Sequence, residues 1–177
     1  MLTFSATGLS SLRVSGGPST LTVFPDAVPS KMGEKDVVLA SAPHDSKSTA
    51  VISWPGEYNQ GGVSIKGIGH EDGKQVSYVA TVDDVRLGFL SSPLQDWTEK
   101  QLETLGDIDV LVMPAGEVKI VQKLVDEIDP RILLVLPGKD RDALKSIEKV
   151  VGVKEKMNEY KLKGALPAEG REVVVLQ

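Results

Sequence analysis

The sequence predicts a mixed α/β (α+β) domain in which sheets are covered by helices. Three observations carry this. The first half is a series of short apolar or alternating runs broken by Gly, Pro and Ser. The second half alternates such runs with two apolar stripes at helical spacing. No linker, internal repeat or low-complexity segment divides the chain, so residues 1–177 read as one domain.

Leu2–Ala6, Ser11–Ser15 and Thr20–Phe24 read as strands, with Gly16-Gly17-Pro18 as the turn between the second and third. Val37–Ser41 is a β-branched and apolar run that suits a buried strand, and Ala50–Trp54 is a further short strand. Gly62–Ile68 alternates, placing Val63, Ile65 and Ile68 among polar or Gly neighbours. Val76–Val82 and Val85–Leu90 are joined by Asp83-Asp84, a pair suited to a tight hairpin because Asp tolerates positive φ. Thr98-Glu99-Lys100-Gln101 is a capping box that opens a short helix, closed by Gly106. Asp109–Met113 is a strand that stops at Pro114. Glu117–Ile128 sets Val118, Val121, Leu124, Val125 and Ile128 on one helical stripe that ends before Pro130. Ile132–Leu136 is an uninterrupted apolar strand closed by Pro137-Gly138. Asp140–Val151 is a second amphipathic helix with Leu144, Ile147, Val150 and Val151 toward the core, and strands Glu159–Lys163 and Glu172–Leu176 finish the chain.

Composition narrows the function classes. With 41% hydrophobic and 25% charged residues, the 177-residue chain is globular and long enough to bury a core. Aromatics are only 5%, so that core is built from Val, Leu, Ile and Ala. The absence of Cys excludes disulfides, thiolate zinc sites and a Cys nucleophile. No apolar run approaches the ~20 residues that cross a bilayer, so no membrane role is expected. Met1-Leu2-Thr3-Phe4-Ser5 lacks the basic start and apolar stretch of a signal peptide, so a cytoplasmic location is the expectation. Charge is uneven: residues 1–130 carry 10 basic and 18 acidic groups, residues 131–177 carry 10 and 7. The basic groups of the second part interleave with acidic and apolar residues, as on solvated helix faces, and do not form a nucleic-acid surface. Gly16-Gly17-Pro18-Ser19-Thr20 lacks the spacing and following helix of a phosphate loop.

The most distinctive stretch is Pro55-Gly56-Glu57-Tyr58 followed by Gly62-Val63-Ser64-Ile65-Lys66-Gly67-Ile68. It resembles a motif of the metallo-β-lactamase superfamily, in the ascorbate-6-phosphate lactonase-like branch of zinc-dependent hydrolases. Other landmarks follow in the family's order. Val37–Ser41 looks like the strand leading into the metal-binding loop, Asp109–Gly116 like the family's DVLLVPVGG segment, and Pro130–Pro137 like the late strand that delivers a His. The resemblance covers roughly residues 1–140. It implies a four-layer αββα sandwich with one or two zinc ions at one edge of the sheets, where a metal-bound hydroxide attacks the substrate.

The ligand count departs from that family. A two-metal site of this type implies about five His and a bridging Asp, and this chain has two His and no Cys. The resemblance aligns HxHxDH with Ala42-Pro43-His44-Asp45-Ser46-Lys47, where only His44 matches. His70 matches the next ligand. The bridging Asp falls at Ser91-Ser92, the late His near Gly138-Lys139, an early Gly-His at Gly8-Leu9 and an Asp-Pro at Phe24-Pro25, all without the ligand. Scaffold residues such as Pro55, Gly56, Gly67, Asp109, Pro114 and Gly116 remain. Fold kept and site lost is the pattern of a pseudoenzyme. The expectation is a catalytically degenerate binding or assembly module with no metal or other cofactor.

The alternative is a reduced metal-dependent hydrolase with a single zinc or iron ion on His44, Asp45 and His70, since two His and one carboxylate suffice as ligands. Lys47 counts against it, because a second cation in that loop repels the metal. Glu57 could act as an acid or base, but Pro-Gly-Glu-Tyr reads better as a turn in which Glu57 and Tyr58 tie loops together. Ser41, Ser46, Ser91 and Ser92 lack the base and oxyanion hole that a Ser nucleophile needs. A third reading is a homo-oligomer joined through edge strands or the C-terminal helix.

Overall fold

The computed structural model describes residues 1–177. The first nine strands run in chain order as β1 (Leu2–Ala6), β2 (Leu12–Ser15), β3 (Thr20–Val23), β4 (Asp36–Leu39), β5 (Val51–Ile52), β6 (Gly56–Gln60), β7 (Val63–His70), β8 (Gln75–Val82) and β9 (Val85–Phe89). There follow α1 (Glu99–Leu105), β10 (Val110–Pro114), α2 (Val118–Ile128), β11 (Ile132–Leu136), α3 (Arg141–Val151), β12 (Glu155–Met157), β13 (Glu159–Leu162) and β14 (Glu172–Leu176). They form a six-stranded sheet, β13-β1-β2-β3-β4-β5, and an eight-stranded sheet, β12-β14-β11-β10-β9-β8-β7-β6.

The two sheets pack face to face over the larger of two cores, to which Phe4, Leu12, Leu39, Ile65, Tyr78 and Leu134 contribute. The second core lies between the other face of the large sheet and all three helices, with Trp97, Leu111, Met113, Leu124, Leu133 and Ile147. β10, β11 and β14 are therefore buried on both faces, which explains their uninterrupted apolar runs.

The two-sheet α/β sandwich with helices outside it is the expected fold class. The three helices pack on the eight-stranded sheet. The outer face of the small sheet presents Thr3, Ser5, Arg13, Ser15 and Thr22, all intermediate or exposed. A polar outer face has no need of a helix. The connection that could hold one, residues 24–35, carries Pro25, Pro29 and Gly33 and forms no regular element.

Two differences concern strands. Pro55-Gly56-Glu57-Tyr58, read as a turn, runs instead into the edge strand β6, paired with β7 across Gly61-Gly62 at φ 59° and 77°. Glu155–Met157, a charged stretch assigned to no element, is the short edge strand β12. The Asp83-Asp84 hairpin is present, with φ 49° and 64° at its two residues. The capping box of α1 is also present, Thr98 Oγ1 accepting from Gln101 N–H while Gln101 Oε1 accepts from Thr98 N–H.

Two devices hold the sheets in place near their shared edge. The buried Tyr78 hydroxyl lies 2.7 Å from the Ala40 carbonyl and 3.0 Å from the Ile52 carbonyl, fastening the ends of β4 and β5 to the large sheet. Its burial pushes the phenol well above its ordinary range, so it stays protonated and remains a donor. At Gly67 the Trp54–Pro55 backbone crosses β7 so closely that a Cβ would sit 2.7 Å from the Trp54 carbonyl oxygen. That contact explains the Gly of the Gly-Ile pair as a packing requirement. No helix is long and apolar enough to cross a membrane.

Candidate functional site

Positions that the family resemblance scatters along the sequence meet in one place. Leu9, Phe24, Pro25, Ser41, Ser92 and Lys139 line a single cleft of about 680 Å³. The cleft also takes in Ala115 and Gly116 just after β10, and Glu117 and Asp140 at the starts of α2 and α3. It thus lies at the carboxyl ends of the parallel strands β10 and β11, where open α/β sheets place their ligands. Its charged groups are Lys139, Asp26, Glu117 and Asp140. Asp140 is already used, its carboxylate accepting from Asp142 and Ala143 N–H to cap α3. Phe24 has φ 51°, a left-handed conformation that a bulky residue adopts at a cost, held by the Ser11 hydroxyl on its carbonyl at 2.6 Å.

The three candidate ligands are not brought together. His44 and Asp45 are exposed on the loop after β4 and line a separate hollow with Met32, Lys47 and Val51. The His44 backbone is tied at both its N–H and its C=O to the Ser53 hydroxyl, at 3.1 Å each. Ser46 accepts from Ser48 N–H and turns the same loop. His70, by contrast, is 5% exposed at the end of β7. No group of three or more His, Cys, Asp and Glu side chains is placed to hold a metal ion.

The surroundings of His70 settle its chemistry. The capping box turns the Gln101 carbonyl oxygen toward Thr98 N–H, so the amide nitrogen is the end that faces His70. That nitrogen donates to the Gly69 carbonyl at 2.9 Å and to His70 Nδ1 at 3.0 Å. Nδ1 is therefore an acceptor, and the ring proton sits on Nε2, which donates to Ser77 Oγ at 3.0 Å. Ser77 Oγ also accepts from Ser91 N–H at 3.0 Å, so its own proton goes to Ser91 Oγ, 3.0 Å away. Ser91 Oγ takes a further bond from Gln75 Nε2 at 2.8 Å, and Gln75 Oε1 accepts from Gln95 at 2.8 Å. Trp97 closes the site, its ring edge-on to the imidazole at 4.8 Å between centroids.

In this arrangement neither ring nitrogen has a free lone pair for a metal. One is occupied by Gln101 and the other carries the proton. Burial also holds the imidazole below its ordinary value, against a weaker opposing pull from the Glu71 carboxylate. The family's metal centre thus does not fit the residues present: the nearest ligand match is locked into hydrogen bonds and the others lie elsewhere.

The His70–Ser77 distance is that of a nucleophile–base pair, but the proton runs the wrong way. A general base must accept from the Ser hydroxyl, whereas Nε2 donates to it. Ser77 is also only 1% exposed. Glu57 is exposed and paired with Lys66 across the β6–β7 ladder at 3.2 Å, and Tyr58 donates to the Trp54 carbonyl at 2.9 Å, so both side chains are engaged in holding the β6 edge. The sequence reading missed Gln101, Ser77 and Gln75. The capping box signalled Gln101, but only for its helix.

The model of the β-lactamase superfamily domain matches residues 7–136, most of the chain. This chain belongs to that family. The fold of the β-lactamase superfamily domain recurs in a Thermotoga maritima protein provisionally assigned as a Zn-dependent hydrolase of the metallo-β-lactamase superfamily. The likeness has a TM-score of 0.81 at 23% identity and covers 99% of this chain and 98% of that one. A Parabacteroides distasonis protein provisionally assigned as a metal-dependent hydrolase aligns at TM-score 0.65 and 17% identity, covering 99% and 94%. The metallo-β-lactamase fold protein YhfI from Bacillus subtilis aligns at TM-score 0.65 and 11% identity, covering 100% and 97%. At these identities the likeness shows the fold. No curated protein gives a significant match.

Proposed function

We propose that this β-lactamase superfamily domain is a catalytically degenerate metallo-β-lactamase-fold protein that serves as a non-enzymatic binding or assembly module. The observation that carries the reading is His70, whose two ring nitrogens are both consumed by Gln101 and Ser77. A hydrolase of this fold needs open ligand positions around its metal. Here the matched position belongs to a closed network that runs on to Ser91, beside the place where the resemblance sets the bridging carboxylate. The cleft at the strand ends remains open, with Ser92 and Lys139 where ligands are implied, and is the surface such a module would use.

The competing reading, one zinc or iron on His44, Asp45 and His70, requires Nδ1 to release Gln101 and His44 to leave its own hollow. Elemental analysis separates the two. Protein made without a His tag, in medium supplemented with zinc and iron, is expected to carry far less than one metal per chain after desalting. One zinc or iron per chain, lost in both His44→Ala and His70→Ala, would contradict the proposal.

A further inference from the structure

We infer that the free edge of β6 is the site at which two copies of this chain pair, joining their large sheets into one continuous sheet. This names the partner for the assembly role proposed above. It fails separately from that role, because metal content does not depend on self-association.

The four sheet edges are not alike. β5 is two residues long and β12 three, and β13 presents Glu159 and Lys161 outward, all devices that discourage edge pairing. β6 has five residues, no Pro and no Lys, and pairs only with β7. Just before it, Trp54 is 54% exposed, in a chain whose other Trp is buried.

The register determines which backbone groups are open. The two-residue loop Gly61-Gly62 makes Gln60 and Val63 the hydrogen-bonded pair that closes the hairpin. Bonded and non-bonded pairs then alternate, so Glu57 and Asn59 point their N–H and C=O groups away from β7. These open groups complement themselves. In a two-fold antiparallel pairing centred on Tyr58, Glu57 of each copy faces Asn59 of the other, and all of them find partners. The side chains agree: the Asn59 amide meets the partner's Glu57 carboxylate, and each Glu57 already has its own Lys66 at 3.2 Å, which limits repulsion between the two carboxylates.

The test is sedimentation equilibrium on the full chain across a concentration series. Mass rising to twice 19.0 kDa is expected. Asn59→Pro removes one edge donor per copy without touching the β7 ladder, since Pro is tolerated on an open edge. It should weaken the dimer at least tenfold while leaving the thermal melt of dilute, monomeric samples in place. Hydrogen exchange gives an independent readout: the Glu57 and Asn59 amides should be protected in concentrated samples and exchange freely in dilute ones. A monomer at millimolar concentration overturns the inference. So does a dimer whose strength Asn59→Pro leaves unchanged, or protection of those amides that persists in the monomer.

Discussion

Replacing His70 with Ala will destabilise the fold by about 3 kcal/mol, measured by urea denaturation at neutral pH. The change leaves one Gln101 amide N–H and one acceptor position of the Ser77 hydroxyl unpaired in the interior, while their bonds to Gly69 and Ser91 remain, and opens a cavity against Trp97. A vestigial surface histidine would instead change stability by less than about 0.5 kcal/mol. The same residue sets a pH dependence. Its folded pKa lies below the ordinary 6.5 because burial disfavours the imidazolium. Between the two values the unfolded chain binds more protons than the folded one, so stability rises with pH through that window. The His70 contribution is complete above 6.5 and declines as the pH falls below it. His70→Gln, which cannot titrate, should lack this part of the pH profile. A profile identical to that of the parent chain would remove His70 as its source.

Trp97→Ala is expected to cost roughly 3–5 kcal/mol, the range for deleting a large buried aromatic. Trp97 is 2% exposed and precedes the Thr98 N-cap, so its side chain anchors the start of α1 in the outer core. Leu102, four residues into the count from that cap, packs against the same cluster, which is the arrangement of a hydrophobic staple. Losing Trp97 also frees α1 to shift, and with it Gln101, the residue that fixes the His70 tautomer. The variant should therefore lose hydrogen-exchange protection in α1 and at Gly69–His70 together, ahead of β10 and β11. Loss confined to α1 would mean that the helix and the His70 network are not coupled.

Most of the elements were legible because burial patterns print themselves on sequence. The continuous runs 110–114 and 132–136 are apolar since both faces of those strands are covered, and α2 and α3 bury one stripe each. β6 was not legible. Gly56-Glu57-Tyr58-Asn59-Gln60 has no apolar alternation, and its strand geometry comes from pairing with β7 across a Gly-Gly turn. β12 was hidden for a similar reason, as three mostly charged residues on an edge. The two-sheet sandwich came from the resemblance, while the polar outer face of β1–β3 was already visible in their alternation.

For the site, part of the family alignment converges and part does not, since His44, Ser46 and Lys47 line a separate hollow. Leu9, Phe24, Ser92 and Lys139 were marked as vacated ligand positions, and they converge. The His70 network could not be read in the same way. Gln101 reaches it from a helix 31 residues further on, and Ser77 and Ser91 enter from neighbouring strands whose register only the fold supplies. Polar residues at inward positions of β7, β8 and the end of β9 were the available signal.

The proposed role of His70 as a structural hydrogen-bonding group, and not a ligand, has a direct spectroscopic readout. It is tested most directly by nitrogen-15 NMR of the imidazole rings, where the chain's two His give only two ring systems to assign. A neutral His70 ring protonated at Nε2 is expected at neutral pH, unchanged when one equivalent of zinc is added. A zinc-induced shift of either His70 nitrogen, or a ring protonated at Nδ1, would contradict it.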